Sequence, residues 1–236
     1  MRQLVKENTA LRRLYYLMQI IRAQSQSDET EILARLTADA PPTFVEFGFH
    51  PVQFNCAGLA RLREWKGLLI DGNARQVADA RALLPNRIEI AECSLTLDNL
   101  DFVRSFFLAI RVLSIDVDGN DYWFPGALLD ARPSVICIEY NSTLGFEPIT
   151  VPYDPAFDRH QKRHHGASLT ALAKLCSSHR YGLAAVSEAG GNAFFTRNGG
   201  LNPEEARQPS ALRQQYSGVC HADQWQAIRH LPFVAV

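Results

Sequence analysis

Carboxylates stand at the ends of several short apolar runs, where they could hold a cation or a hydroxyl-bearing ligand. The residues at these positions, with one glycine among them, are Glu46, Gly48, Asp71, Glu92, Asp116 and Glu139. Asp71 lies 23 positions beyond Gly48 (71 − 48), a spacing that suits an acid binding both hydroxyls of a ribose. Carboxylates that face one crevice repel each other unless a cationic or hydroxylated ligand lies between them.

Three aspartates, Asp116, Asp118 and Asp121, fall within six residues. One interpretation is a divalent metal site made by Asp116 and Asp118 and completed by Glu139 or Asn141 after the next apolar run. Such oxygen ligands suit Mg²⁺ or Ca²⁺. The alternative is that the Asp-Gly-Asn step starting at Asp118 is only a turn, with Asp121 capping the next helix.

Histidines supply the candidates for proton transfer. His164 and His165 end a dense basic run that also contains Arg159, His160, Lys162 and Arg163. A histidine with a near-neutral pKa could remove a proton from a hydroxyl, and the run could also bind an anionic substrate. Alternatively, the run is a solvated loop before a helix. His50 follows the first apolar run directly, so it could contact a ligand or be a polar group at a helix start.

The apolar runs predict strands at 43–47, 67–70, 88–91, 112–115 and 134–138. Helical patterns at 53–65, 77–84 and 100–110 separate them, and this alternation predicts a doubly wound, mostly parallel sheet covered on both faces. A helix at 168–179, a hairpin of strands at 181–186 and 192–196, and a helix at 203–216 follow. The polar stretch 141–166 is too long for a plain connection, which favours a lid.

The N-terminal segment predicts two helices, the second at 29–36, in an appendage of residues 1–40 before an α/β domain of residues 41–236. In the first helix, Leu4, Leu11, Leu14, Leu17, Met18 and Ile21 recur at three- and four-residue steps. This appendage could pack on the flank of the domain, or it could act as a lid or as the arm of a homodimer.

Composition limits the function classes. The 236 residues are 47% hydrophobic and 21% charged, which excludes a disordered chain. A net charge of −1 argues against a nucleic-acid partner, and no segment reads as a signal peptide or membrane span. The cysteines number five, an odd count, and none are at CxxC spacing, which favours a reducing compartment. We therefore expect a cytoplasmic protein without a membrane or nucleic-acid partner.

Five blocks of the sequence resemble the class I S-adenosylmethionine-dependent methyltransferases, and more closely their FkbM-like small-molecule branch. The blocks are FVEFG at 44–48, GLLIDGN at 67–73, LSIDVDGNDYW at 113–123, IEYN at 138–141 and NAFF at 192–195. The resemblance spans residues 43–197 and implies a seven-stranded Rossmann-like sheet whose seventh strand is antiparallel. It also implies methyl transfer to an oxygen of a small polar metabolite or natural product, with Mg²⁺ as a second cofactor in some members.

The resemblance assigns roles to individual residues. Glu46 and Gly48 would lie at the amino-acid end of the cofactor, and His50, which follows this strand directly, would contact the cofactor if it binds a ligand. Asp71, with Gly72 and Asn73, would bind the ribose, and Glu92 or Cys93 the adenine. Asp116 would lie near the methionine ammonium and the substrate. The base that removes the proton from the acceptor would be His164, His165 or a hydroxyl whose pKa is lowered by a metal ion.

The chain departs from the family in its first loop. The family has a glycine-rich loop there because the backbone passes close to the cofactor, whereas Phe49, His50 and Pro51 follow Gly48 here. This loop favours an alternative function, in which the fold has lost methyl transfer and binds another ligand or a partner chain.

Overall fold

The computed structural model describes residues 7–20, 25–38, 42–106, 109–157, 164–210, 214–215 and 218–236. Its strands are β1 (Thr43–Phe47), β2 (Lys66–Asp71), β3 (Ile88–Glu92), β4 (Val112–Ile115), β5 (Val135–Glu139), β6 (Ile149–Thr150), β7 (Gly182–Val186), β8 (Asn192–Thr196) and β9 (Val234–Ala235). Its helices are α1 (Thr9–Ile20), α2 (Glu29–Leu36), α3 (Ala57–Arg61), α4 (Ala74–Leu83), α5 (Asp101–Phe106), α6 (Trp123–Leu128), α7 (Leu169–Ser178), α8 (Pro203–Ala206) and α9 (His221–Ile228).

Seven strands form one sheet in the order β3-β2-β1-β4-β5-β8-β7. Strands β1 to β5 are parallel, while β8 runs antiparallel to β5 and to β7. The strand order reverses between β1 and β4, which is where open α/β sheets bind ligands. The predicted seven-stranded, mostly parallel α/β fold with an antiparallel strand is confirmed.

The core lies on both faces of this sheet, because successive strand residues point to opposite sides. Phe44 of β1 packs with Leu33 of α2 and Leu59 of α3 on one face. Its neighbour Val45 packs in the second cluster, with Val103 of α5 and Leu172 of α7. Burial on both faces explains why the strands read as continuous apolar runs.

Three helices are shorter than predicted, among them α5, which covers Asp101–Phe106 of the range 100–110, and the C-terminal part contains elements that the pattern missed. The helix predicted at 53–65 covers Ala57–Arg61, because the Glu46 carboxylate binds the N–H groups of Asn55 and Cys56 just before it. Of the helix predicted at 203–216, α8 covers Pro203–Ala206, and part of the rest lies outside the described residues. Helix α9 and strand β9 were not predicted, and β9 pairs with β6 inside the 141–166 stretch.

Helix α1 packs against α4 through polar residues rather than through its apolar stripe. Arg12, which is buried, places its Nε 2.5 Å from Asp79 Oδ2, and the Nε of Arg13 lies 3.0 Å from Oδ1. The apolar residues of the described stripe, Leu11, Leu14, Leu17 and Met18, are exposed. Leu4 and Ile21 lie outside the described residues. The helix therefore lies on the flank of the domain, with its apolar face outward.

Among the described helices, none combines the length and apolarity that a bilayer crossing requires. The division at residue 40 stays a prediction.

Candidate functional site

The chain turns sharply after β1, directly beside the end of β4. Gly48 has a φ of 70°, and a Cβ on it would lie 1.7 Å from the carbonyl oxygen of Asp116. The N–H of Gly48 donates to the Ile70 carbonyl, and the N–H of Asp116 donates to the Phe47 carbonyl. Glycine is required here on two grounds, since side chains disfavour this φ and the neighbouring backbone leaves no room.

Two side chains of the bulky loop after Gly48 pack against neighbouring parts of the domain. Phe49 is 6% exposed and belongs to the same apolar cluster as Phe54 and Leu69. His50 Nε2 lies 3.2 Å from the Tyr16 hydroxyl of α1, and burial lowers the pKa of His50. The departure from a glycine-rich loop is thus accommodated mainly by burying Phe49 in the core.

Asp71, at the end of β2, holds two turns together. Its Oδ2 accepts a hydrogen bond from the N–H of Phe49 (3.2 Å), and its Oδ1 accepts one from the N–H of Asn73 (2.6 Å). The side chain of Asn73 caps α4, and a Cβ on Gly72 would lie 2.6 Å from Ser94 Oγ. A carboxylate has about four acceptor positions, so Asp71 retains capacity for ribose hydroxyls.

Glu92 and Cys93 follow β3 next to Asp71. Glu92 is exposed and Cys93 is half-buried, with the N–H of Cys93 donating to the Asp71 carbonyl (3.0 Å). Both residues thus lie at the carboxyl end of the edge strand β3, beside Asp71, and their adenine assignment stays a prediction.

Glu46 is buried under the strand ends. Its two oxygens accept hydrogen bonds from the N–H groups of Asn55 (2.7 Å) and Cys56 (2.8 Å). Burial raises its pKa to about 7, although these hydrogen bonds oppose the shift. These two hydrogen bonds hold the end of the loop between β1 and α3 against β1.

Acidic groups concentrate where β4 and β5 end. Asp121 is fully buried and Asp116 is partly exposed, and the pKa of each is raised well above its usual value. Burial is the largest cause for both, followed by the charge of Glu139. These strand ends therefore favour a cationic or proton-bearing ligand.

The structure brings His165, which is fully buried, to this acidic group. Its Nδ1 lies 3.6 Å from Glu139 Oε2, and ligand atoms of Asp118, Glu139 and His165 lie within 4.8 Å of one another. Asn141 supports them, because its Nδ2 donates to the His165 carbonyl (2.9 Å) and its Oδ1 accepts from the N–H of Thr143 (3.0 Å). The side chain of Asn141 thus binds the backbone of the residues that flank the acidic group.

His164 contacts the C-terminal segment. Its Nε2 lies 2.9 Å from the Pro232 carbonyl oxygen, and its ring packs edge-on against Phe233. The basic residues Arg159, His160, Lys162 and Arg163 lie outside the described residues.

The turn after β4 also holds the segment that follows β6, a role that the sequence did not reveal. Asn120 Nδ2 donates to the Asp154 carbonyl (2.8 Å), and the N–H of Asp154 donates back to Asn120 Oδ1 (3.2 Å). A Cβ on Gly119 would lie 2.3 Å from the Phe157 ring, and the indole N–H of Trp123 donates to the Val151 carbonyl. The block 118–123 therefore anchors the predicted lid.

The alternative role for Asp121, capping the next helix, is wrong. Helix α6 has Tyr122 at its N-cap position and no side-chain cap, while Asp121 Oδ1 accepts from the N–H of Val117 (2.8 Å). Asp121 closes the preceding turn instead.

These features define the Rossmann-like fold of the class I methyltransferases, in which the carboxyl ends of the parallel strands β1, β2, β4 and β5 lie along one edge of the sheet. The sequence matches no family model and has no match among curated proteins. Among solved structures, the chain is similar to the O-methyltransferase from Bacillus cereus in complex with S-adenosylhomocysteine. The TM-score is 0.54 at 16% identity, over 77% of this chain and 89% of that one. It is also similar to cofactor-bound Rv0187 from MTB, with a TM-score of 0.50 at 14% identity, over 79% and 89% of the two chains.

Proposed function

We propose that this protein transfers the methyl group of S-adenosylmethionine to an oxygen of a small polar metabolite or natural product, as in the FkbM-like branch. The observation that carries the proposal is the glycine turn at Gly48, packed against the Asp116 backbone at the switch point of this sheet. Two structures of the same fold, one in complex with S-adenosylhomocysteine and one cofactor-bound, support it.

The residues at the strand ends fit this cofactor. A side chain at position 48 would collide with the Asp116 backbone, so glycine keeps the turn compact at the strand ends, and Asp71 retains acceptor capacity beside the turn of Gly72 and Asn73. Glu92 and Cys93 extend the site past β3. The bound cofactor supplies a methyl group that is already activated by a positively charged sulfonium.

The protein's contribution is then to orient an acceptor oxygen and to take its proton. Asp116 is the stronger candidate for the proton acceptor, because it is partly exposed at the end of β4, whereas His165, the other candidate, is fully buried. Burial raises the pKa of Asp116, which makes its carboxylate a stronger base than that of an ordinary aspartate. His164 is less suited, since its Nε2 contacts the Pro232 carbonyl and its ring packs on Phe233.

Calorimetric titration of the full chain with S-adenosylhomocysteine tests the cofactor, and transfer of labelled methyl to a panel of hydroxylated metabolites tests the reaction. We expect one binding site per chain and label in a hydroxyl-bearing product. Absence of cofactor binding would contradict the proposal and favour the alternative of a methyltransferase fold that binds another ligand or a partner chain.

A further inference from the structure

Three side chains from distant parts of the sequence converge at the ends of β4 and β5. Asp118 lies in the turn after β4, Glu139 ends β5, and His165 precedes α7. Among the described residues, one ligand atom from each lies within 4.8 Å of the other two. Two carboxylates and an imidazole at this spacing form a donor set that metal ions use in proteins.

The distance between Glu139 and His165 suits two ligands of one ion. Glu139 Oε2 and His165 Nδ1 are 3.6 Å apart, whereas an N–H···O hydrogen bond spans about 2.7–3.2 Å. Two ligands that are each about 2.0–2.2 Å from a tetrahedral or octahedral ion are separated by roughly 3–3.6 Å.

A buried carboxylate beside the group supplies an independent indication of a cation. Asp121 is 0% exposed, and its Oδ2 has no hydrogen-bond partner among the described residues. This oxygen lies 3.6 Å from the position of a Cβ on Gly166, the residue after His165. Leaving a buried carboxylate oxygen without a partner is costly, and a nearby cation compensates for it.

The backbone around these ligands is held in place by contacts that need no ion. The amide of Asn141 binds the His165 carbonyl, and the N–H of Val151 donates to the Gly166 carbonyl (3.0 Å). Asp118 has a φ of 64°, a conformation that the turn imposes on it. Such support positions metal ligands before binding.

We propose that Asp118, Glu139 and His165 bind a divalent first-row transition-metal ion. The imidazole nitrogen favours ions such as Zn²⁺, Co²⁺ or Fe²⁺, whereas Mg²⁺ prefers oxygen ligands in octahedral geometry. The Mg²⁺ site expected from Asp116, Asp118, Glu139 and Asn141 fits poorly, because the Asn141 amide is engaged with the backbone and a histidine takes part. Binding of the ion does not depend on the proposed function. Only the statement that the ion lies beside a methyl acceptor rests on that function.

The test is direct binding of Co²⁺ to the full, untagged chain after EDTA treatment, measured by calorimetry and by the visible absorption of bound Co²⁺. We expect one Co²⁺ per chain and no displacement by an equal concentration of Mg²⁺. His165→Ala and Asp118→Asn should each weaken binding by more than about 100-fold, since loss of even an outer partner costs about 10–100-fold. Asparagine tolerates the left-handed φ at position 118, so this variant preserves the turn.

The exposed His230 provides the matched control, and His230→Ala should bind Co²⁺ like the parent. The proposal is overturned by absence of stoichiometric binding, by parental affinity in a folded His165→Ala or Asp118→Asn variant, or by displacement with equimolar Mg²⁺. Titration with S-adenosylhomocysteine in metal-free buffer tests the proposed function separately, so that failure of either proposal is recognised on its own.

Discussion

Gly48 and Asp116 approach so closely that the Asp116 carbonyl oxygen lies 1.7 Å from the site of a Cβ on Gly48. The contact joins the turn after β1 to the end of β4, because the two strands are hydrogen-bonded neighbours that end at the same edge. The opposing atom belongs to the backbone, so it cannot rotate away as a side chain would.

Gly48→Ala should therefore destabilise the fold by more than about 2 kcal/mol, through both the clash and the positive φ. It should also abolish binding of S-adenosylhomocysteine. Gly126→Ala is the matched control, because a Cβ there meets nothing within 4 Å and alanine favours helix α6. Urea unfolding of both variants measures the difference, and equal stabilities would contradict the close approach.

Asp71→Ala should weaken binding of S-adenosylhomocysteine by about 1.5–3 kcal/mol, or roughly 10–150-fold in Kd, if this carboxylate binds the ribose. Asp130→Ala is the control, since Asp130 is exposed and lies before β5, away from the carboxyl ends. Calorimetry gives the affinities and circular dichroism checks the fold. Parental affinity in a folded Asp71→Ala variant would remove Asp71 from the site.

Glu46 should make stability depend on pH. Its folded-state pKa of about 7 exceeds the value of 4.5 for an ordinary glutamate, so the native chain holds the extra proton between these values. The stability of the parent relative to Glu46→Gln should fall by up to about 3 kcal/mol as the pH rises through this range, and then level off.

Urea unfolding at several values between about pH 5 and pH 8 measures this effect. Glu64→Gln, at an exposed position, should leave the pH dependence of the parent unchanged. A parent and a Glu46→Gln variant with parallel pH profiles would show that Glu46 titrates normally.

Asn120→Ala should loosen the predicted lid, because it removes both hydrogen bonds to the Asp154 backbone. Each bond contributes about 1 kcal/mol, so trypsin cleavage at Arg159, Lys162 or Arg163 should accelerate several-fold. Cofactor and acceptor together should slow it in the parent. Asn198→Ala, at an exposed position, should be cleaved like the parent. Unchanged cleavage in Asn120→Ala would argue against the anchor.

The homodimer through the N-terminal helices stays a prediction, and the exposed apolar face of α1 offers a surface for it. Light scattering should give twice the 26.4 kDa mass of one chain. Replacing both Leu14 and Met18 by aspartate should give monomers, whereas Leu201→Asp, which changes another exposed leucine, should not. A monomeric parent would contradict this prediction.

Local patterns predicted the sheet well, since strands buried on both faces are apolar throughout. Strands β1, β4 and β8 have the predicted bounds, and β2, β3 and β5 differ by one or two residues. The predicted length of helix α3 was too great, because its amphipathic pattern extends into residues that the Glu46 side chain holds in a loop. Strand β9 could not be predicted, because its two residues become a strand only by pairing with the distant β6.

The sequence by itself determined that the chain forms a mostly parallel α/β sheet and which acids follow its strands, because both are evident from the apolar runs and the residues that end them. The tertiary structure alone decided which side chains meet there. It placed His165 beside Glu139 and Asp118 and buried Phe49 in the core. The apolar face of α1 points outward because Arg12 on its other side pairs with Asp79. These outcomes depend on contacts between residues far apart in the chain, which no local pattern encodes.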